Sequence, residues 1–316
     1  MFGKVVVLMG GNGAEREISL ETGNTVITAL QQHGIEVESI DAVPGFVDKL
    51  IKAQPDRVFI ALHGMLGEGG AVQGLLDTLG IPYTGSGVLG SALGMDKIRS
   101  KKIWQAIGLP TPPFCSLNAE HEADEFISSF GLPLVIKPVY EGSSVGITKL
   151  TNKGNFKAAY NLAAKYGAVM LEQWITGEEY TVGILNNQAL PPINIMPVEN
   201  FFDYHAKYKS EATKYSCPGD ISQAEQAYLK QLALDAFNAV GAKVWGRVDF
   251  IRDLNGDFWI LEVNTIPGLT SHSLLPKAAK ESGIEIDELI VEILTQTLTE
   301  NYKPELTQLQ KGESIS

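Results

Sequence analysis

The chain has 316 residues, and its 25 Lys and Arg against 37 Asp and Glu give a formal charge of −12. At roughly 150 residues per domain there is room for two or three domains. A composition 44% hydrophobic and 20% charged excludes a largely disordered chain. Such acidity repels polyanions, which argues against general binding of nucleic acid or an anionic membrane, although a few local lysines can still hold a small phosphate. Cys115 and Cys217 form no Cys-x-x-Cys pair, which excludes a disulfide framework and a thiolate zinc site and fits a reducing compartment. The apolar run before Gly10 is too short for a signal-peptide core or a bilayer span, and no later run approaches that length. A soluble cytoplasmic protein is expected.

In chain order, Val5 to Met9 reads as a buried strand stopped by Gly10-Gly11-Asn12-Gly13, followed by an amphipathic helix from about Glu15 to Gln32. Val37 to Ile40 and Val58 to Leu62 read as strands, with helices over Phe46 to Lys52 and Ala71 to Leu79. This alternation predicts a parallel sheet with helices on both faces, a small Rossmann-like unit. One long helical pattern runs from Gly87 to Ile107, and Pro110, Pro112 and Pro113 then form a linker. Beyond it the texture changes to strands at Pro133 to Val139, Ile147 to Leu150 and Val169 to Trp174, with a helix over Asn155 to Lys165. Tyr180 to Ile184 and Ile193 to Val198 follow at hairpin spacing. Residues 199–218 carry no period but hold Phe201, Phe202, Tyr204, His205, Tyr208 and Tyr215. A structureless loop this long is more often a functional lid than an idle connection. A helix over Gln223 to Val240, a hairpin and a C-terminal helix over Ile286 to Leu298 complete the reading, with a frayed tail after Asn301. There is no internal repeat.

Several motifs fail on context. The third glycine of a dinucleotide fingerprint begun at Gly11 and Gly13 would fall where Arg16 stands. No Walker A sequence occurs near Gly90 to Lys97. His121-Glu122 is not followed by a second histidine at zinc-protease spacing, and His33 and His121 read as surface residues. Gly142-Ser143-Ser144-Val145-Gly146 matches the G-x-S-x-G of serine hydrolases, which requires a helix directly after it. Here Ile147 to Leu150 alternates like a strand, so the segment reads as a hairpin tip offering N–H groups and hydroxyls to an anion. A hydrolase using Ser144 stays open as the alternative.

The most informative stretch is Val244 to Gly268. Asn255-Gly256 is a strong two-residue hairpin turn, and with it as the loop, paired positions place Asp249 opposite Glu262 and Arg247 opposite Asn264. Period-two geometry puts all four side chains on one face. Two carboxylates across a ladder repel. One could be protonated, the pair could face water, or a divalent cation could sit between them, since Mg²⁺ takes one or two carboxylates beside phosphate oxygens.

Arg247-x-Asp249, Glu262-Val263-Asn264-Thr265 and Pro267-Gly268 together resemble the metal and phosphate end of the ATP-grasp superfamily. The likeness extends over nearly the whole chain to the D-alanine–D-alanine ligase family. It is carried by Gly10-Gly11 with Ala14-Glu15-Arg16-Glu17-Ile18-Ser19, His63-Gly64 with Gly67-Glu68, Tyr83-Thr84-Gly85-Ser86, and Met95-Asp96-Lys97. Lys137-Pro138 with Glu141-Gly142-Ser143-Ser144-Val145-Gly146, Lys207-Tyr208, and Thr270-Ser271-His272-Ser273 complete it. Asn12-Gly13 stands where a serine is common, and Gly69 where an aspartate is common.

The resemblance implies a Rossmann-like N-terminal domain (1–95) followed by a two-part ATP-grasp fold, with a central subdomain (96–180) and a C-terminal one (181–316). The class is thus α/β and α+β. It implies ATP phosphates on Lys97, Lys137 and the Ser144 loop, with Lys207 joining when the lid 199–218 closes. Adenine would lie by Glu172, Trp174, Ile175 and Phe201, and Glu179 would take the ribose. Asp249, Glu262 and Asn264 would hold Mg²⁺ or Mn²⁺, two ions in all. The first D-alanine's ammonium would meet Glu15, helped by His63 and by a set with Ser143 and Tyr208; related D-lactate ligases tend to carry phenylalanine at the Tyr208 position. Ser273 and Leu274 would bind the second D-alanine, while Arg247 and the Gly268 N–H would stabilise the oxyanion. ATP and two D-alanines are the implied ligands, in a cytoplasmic homodimer serving peptidoglycan synthesis.

Overall fold

A computed structural model of the chain describes residues 2–117, 120–196 and 213–298, with the side chains of 120–122 set aside. The first unit is a parallel sheet of order β2-β1-β3, from Val37–Asp41 (β2), Val5–Met9 (β1) and Arg57–Ile60 (β3). All five residues of β1 are buried, as a parallel strand covered on both faces requires. Gly10 and Gly11 take φ of 76° and 79°, a left-handed turn that feeds the chain from β1 into α1 (Arg16–Gln32). The Arg16 guanidinium then grips Asp41 at 2.9 and 2.7 Å, and Asp41 also accepts the Gly11 N–H, so the turn is tied to the neighbouring strand. Phe46–Ala53 (α2), Gly64–Glu68 (α3) and Ala71–Leu79 (α4) complete the unit.

The single helix expected over 87–107 is two: Val88–Met95 (α5) and Lys97–Ala106 (α6). Asp96 is extended between them and its carboxylate accepts the Arg99 N–H, an N-cap that overrides the apolar period. The break places Lys97 at the first position of α6. Next comes a four-stranded antiparallel sheet of order β4-β7-β5-β6, from Phe114–Leu117 (β4), Leu134–Pro138 (β5), Thr148–Leu150 (β6) and Val169–Gln173 (β7). Helices Glu120–Phe130 (α7) and Phe156–Ala163 (α8) cover it.

The third sheet is built from Gly177–Leu185 (β8), Gln188–Ala189 (β9), Ile193–Met196 (β10), Lys214–Ser216 (β11), Trp245–Asp253 (β12) and Phe258–Asn264 (β13). Its order is β11-β10-β8-β12-β13, with β9 on β8. Helix Gln223–Ala239 (α9) packs Leu229, Leu232 and Phe237 against it. Ser222 caps α9 in a reciprocal box with Glu225. Part of the segment expected to be structureless is therefore sheet: β11 pairs antiparallel with β10, Asn194 opposite Ser216. Three residues are too few to show a period. The rest of that loop, 199–212, including Phe201, Lys207 and Tyr208, lies outside the described residues, as does the tail after Asn301.

Leu274–Glu281 (α10) and Ile286–Thr295 (α11) return the chain to its start. Leu289, Ile290, Ile293 and Leu294 share one buried cluster with Val5 to Leu8 and with Trp245, Ile266 and Leu269. The first sheet and the hairpin exit are thus fastened to each other through a common core. No helix among the described residues is long and apolar enough to cross a membrane.

Candidate active site

The hairpin β12–β13 pairs Asp249 with Glu262 and Arg247 with Asn264, the register expected from the sequence, by a different route. The loop has three residues, not two: the Asp253 N–H meets the Asp257 carbonyl at 2.9 Å, and Gly256 closes the turn at φ 93°. That shifts the near pairs to Arg252–Phe258 and Phe250–Ile260. A bulge between Asp249 and Phe250, with Leu261 as the extra residue, then restores the expected register beyond it.

The predicted repulsion is relieved by separate cations. The Asp249 carboxylate receives Arg247 Nε and Nη2, each at 2.8 Å, the Thr181 hydroxyl at 2.6 Å and Asn264 Nδ2 at 2.9 Å. Glu262 faces Lys97 Nζ at 3.2 Å, and Lys97 also donates to the Glu141 carbonyl at 2.8 Å. Among the described residues no three His, Cys, Asp or Glu side chains cluster as a metal site. Two facing carboxylates and an amide do suit a hard cation that completes its shell from phosphate oxygens. For Asn264 to join, its amide must turn from Asp249 and offer its oxygen.

Lys137 Nζ pairs with Glu172 at 2.6 Å, and the other oxygen of Glu172 pairs with Lys101 at 2.5 Å. Burial opposes ionisation of Glu172, but the two ammonium groups outweigh it and hold the carboxyl below its usual range. Burial pushes Lys101 down to about 8 against the pull of Glu172. A cleft over these groups is lined also by Ser144, Trp174, Ile175, Glu179, Lys97 and Glu262, and Lys149 stands 4.0 Å over the Trp174 ring. Ser143 and Ser144 are left-handed at φ 50° and 61°, and strand β6 follows them. The helix that a hydrolase nucleophile elbow needs is missing, so the hydrolase reading is not favoured.

A second cavity gathers Glu15, His63, Ser143, Arg247, Asn264 and Gly268, again with Lys97 and Glu262. The Ser143 hydroxyl donates to Glu15 at 2.5 Å. His63 Nδ1 faces the Ile266 carbonyl at 2.9 Å and so carries the proton, leaving Nε2 to accept from Thr22 at 3.1 Å. Burial first, and Arg247 after it, lower the His63 pKa and keep the ring neutral. A third cavity holds Ser273 and Leu274 together with Arg247, Asp249, Glu262 and Gly268. Ser273 stands just before α10, and its hydroxyl accepts the Thr270 N–H at 3.1 Å without capping the helix; a Cβ at 268 would come within 2.8 Å of that oxygen, so glycine keeps the approach open.

Sequence reasoning gave no role to Lys101, Glu68 or Thr181. Only tertiary contacts show theirs; the sequence signal for Glu68 was its place in Gly67-Glu68. The Glu68 carboxylate accepts the N–H groups of Gly64 (3.1 Å) and Ile266 (3.3 Å), stapling the first unit to the hairpin exit. Burial and then the charge of Glu15 push it up to about 7. Ionised, it accepts both N–H groups; protonated, it gives up one. Activity is therefore expected to fall as pH drops through about 7, and Glu68→Gln to be less active and flat there. A kcat/KM profile for the two proteins checks this.

Known proteins resemble this chain in sequence and fold. The family described as "D-ala D-ala ligase C-terminus" matches residues 103–295, and "D-ala D-ala ligase N-terminus" matches 46–86. The D-alanine–D-alanine ligase of Acinetobacter baylyi is 49% identical over 301 residues, covering 94% of this chain and 97% of that protein. That of Alkalilimnicola ehrlichii is 51% identical over 293 residues, covering 92% and 94%. The Bacillus anthracis ligase crystallised with ATP superposes with a TM-score of 0.82 at 32% identity, covering 94% of this chain and 97% of that one. The VanG D-Ala:D-Ser ligase of Enterococcus faecalis gives 0.82 at 28%, covering 94% and 100%. The chain belongs to the D-alanine–D-alanine ligase family, with the ATP-grasp fold.

Proposed function

We propose that the protein joins two D-alanines at the expense of ATP, through an acyl phosphate, to supply D-alanyl-D-alanine for peptidoglycan precursors. One observation carries the order of events: all three cavities meet at Glu262. The nucleotide cleft and the Glu15 cavity share Lys97 and Glu262, so a carboxylate held from Glu15 can meet a terminal phosphate there. The Glu15 and Ser273 cavities share Arg247 and Gly268, so the acylated carbon can then be reached by a second amine.

Each side chain follows from its place. Glu15, oriented by Ser143 and by the Arg16–Asp41 clasp behind it, takes the first ammonium; Tyr208 completes that set. His63, neutral and bonded to the Ile266 carbonyl, fixes the strand exit that carries Gly268. Lys97 and Lys137 neutralise phosphate, the Ser144 turn covers it, and Lys207 adds a third ammonium. Trp174, Ile175, Phe201 and Glu172 frame adenine, and Glu179 the ribose. Ser273 and Leu274 seat the second D-alanine. Asp249, Glu262 and Asn264 would hold two Mg²⁺ or Mn²⁺ ions, which supply charge neutralisation along the phosphates. Arg247 and the Gly268 N–H face the oxyanion formed when the amine adds. The acyl phosphate must be kept from water, which gives 199–218 the work of a lid. We assign the units to 1–95, 96–180 and 181–316, in a cytoplasmic homodimer as the family implies.

Phosphate release measured across D-alanine, D-serine and D-lactate tests this. Release is expected with ATP and D-alanine together and with neither alone. Release without ATP, or its absence with both, overturns the reading.

A further inference from the structure

Lys101 is fully buried and lines none of the three cavities. It stands one turn after Lys97 on α6, on the same helix face. Its ammonium group has three neighbours: Glu172 at 2.5 Å, the Thr111 hydroxyl at 2.6 Å and the Ile260 carbonyl at 3.3 Å. Thr111 donates to that same carbonyl at 2.8 Å, and the Ile260 N–H donates to the Pro110 carbonyl at 2.9 Å. The linker therefore pairs with the outer edge of β13 at residue 260, directly before the bulge at Leu261 that sets Glu262 opposite Asp249. On its other side Glu172 holds Lys137 at 2.6 Å. The contacts close a ring from Lys101 to Ile260, two residues along to Glu262, and from Glu262 to Lys97 on the helix that carries Lys101, with Glu172 and then Lys137 branching from Lys101.

We infer that Lys101 is a positioning residue of the nucleotide site, one ammonium that fixes Lys137, through Glu172, against the strand that carries Glu262. A polyphosphate needs these two groups at a set separation, and they sit on different sheets. A lysine supplies donors in three directions and so can tie a carboxylate, a linker hydroxyl and a strand carbonyl together. The inference rests on phosphates lying by Lys137 and Glu262. The rival account is that Lys101 only neutralises the buried Glu172.

The test is ADP affinity by calorimetry, with KM values from phosphate release. Lys101→Met is expected to weaken ADP and raise the KM for ATP about tenfold or more, as loss of an outer-shell support does. The KM for D-alanine, whose proposed anchors Glu15 and Ser273 lie off the helix and strand that Lys101 ties together, is expected to hold within about twofold. In an E172Q background the same substitution should still weaken ADP, because the tie to Ile260 remains to be lost. Unchanged ADP affinity in K101M, an equal rise in the D-alanine KM, or no further loss in the E172Q background overturns the inference. If K101M does not fold, Thr111→Val takes its place, with ADP weakened as the expected result and unchanged affinity as the contrary one. Lys137→Met separates the two levels: normal ADP affinity there defeats the placement of the phosphates. Weak binding in K137M beside normal binding in K101M defeats the role of Lys101 alone.

Discussion

Glu262→Gln is expected to lower kcat about 10³-fold at ordinary Mg²⁺, with a higher Mg²⁺ concentration needed for half-maximal rate. Glu262 is the residue on which the three cavities converge, where the proposed phosphate transfer would take place. Phosphoryl transfer asks little of a protein beyond positioning and charge neutralisation, and an amide offers a cation a far weaker donor than a carboxylate. The fold should survive, because Lys97 keeps the Glu141 carbonyl when its ion pair with Glu262 goes. ADP binding without divalent cation should change little, while the strengthening of that binding by Mg²⁺ should be lost. Asp249→Asn is a less clean probe: that carboxylate anchors Arg247, Thr181 and Asn264 together, and its loss disturbs all three. Turnover near normal in E262Q at ordinary Mg²⁺ would defeat the metal assignment.

The pairing of Asp249 with Glu262 shows how a sequence can yield a correct contact from incomplete geometry. Asn255-Gly256 marks the turn, but the turn type depends on Asp253, whose carboxylate accepts the N–H groups of Asn255 and Asp257 and favours a three-residue loop. The bulge at Leu261 cancels the shift, and it is held from outside the hairpin by Pro110, Thr111 and Lys101, about 150 residues away. Local pattern carries no trace of that. The strand Val5–Met9 was legible as an unbroken apolar run stopped by glycines, and the helix Ala71–Leu79 because one buried face sets its period. The break at Asp96 was not, since a side-chain cap interrupts a helix without altering its apolar spacing. The charged residues that line the cavities were singled out by family likeness, whereas Glu68 and Lys101 gain their meaning only from groups that folding brings to them.

Arg247→Ala is expected to lower the rate of dipeptide formation about 10²–10³-fold, the usual cost of removing one oxyanion donor. Its guanidinium is locked on Asp249 through Nε and Nη2, which orients the fork along the border between the Glu15 and Ser273 cavities, the proposed seats of the two amino acids. Negative charge appears at that border when the second amine adds to the acyl phosphate, and not when the γ-phosphate is transferred. The two steps should therefore part company. Hydroxylamine trapping of the acyl phosphate should persist in R247A while dipeptide nearly vanishes. Lysine should rescue poorly, because a point charge cannot hold Asp249 and the oxyanion in one plane. Asp249 would keep Thr181 and Asn264, so the loss of stability should stay near 1–3 kcal/mol, roughly the cost of a half-buried acceptor losing a charged partner. A thermal unfolding midpoint measured beside the kinetics separates that cost from catalysis. Equal losses in trapping and in dipeptide would place Arg247 at phosphate transfer instead, and an unchanged dipeptide rate would remove it from the reaction.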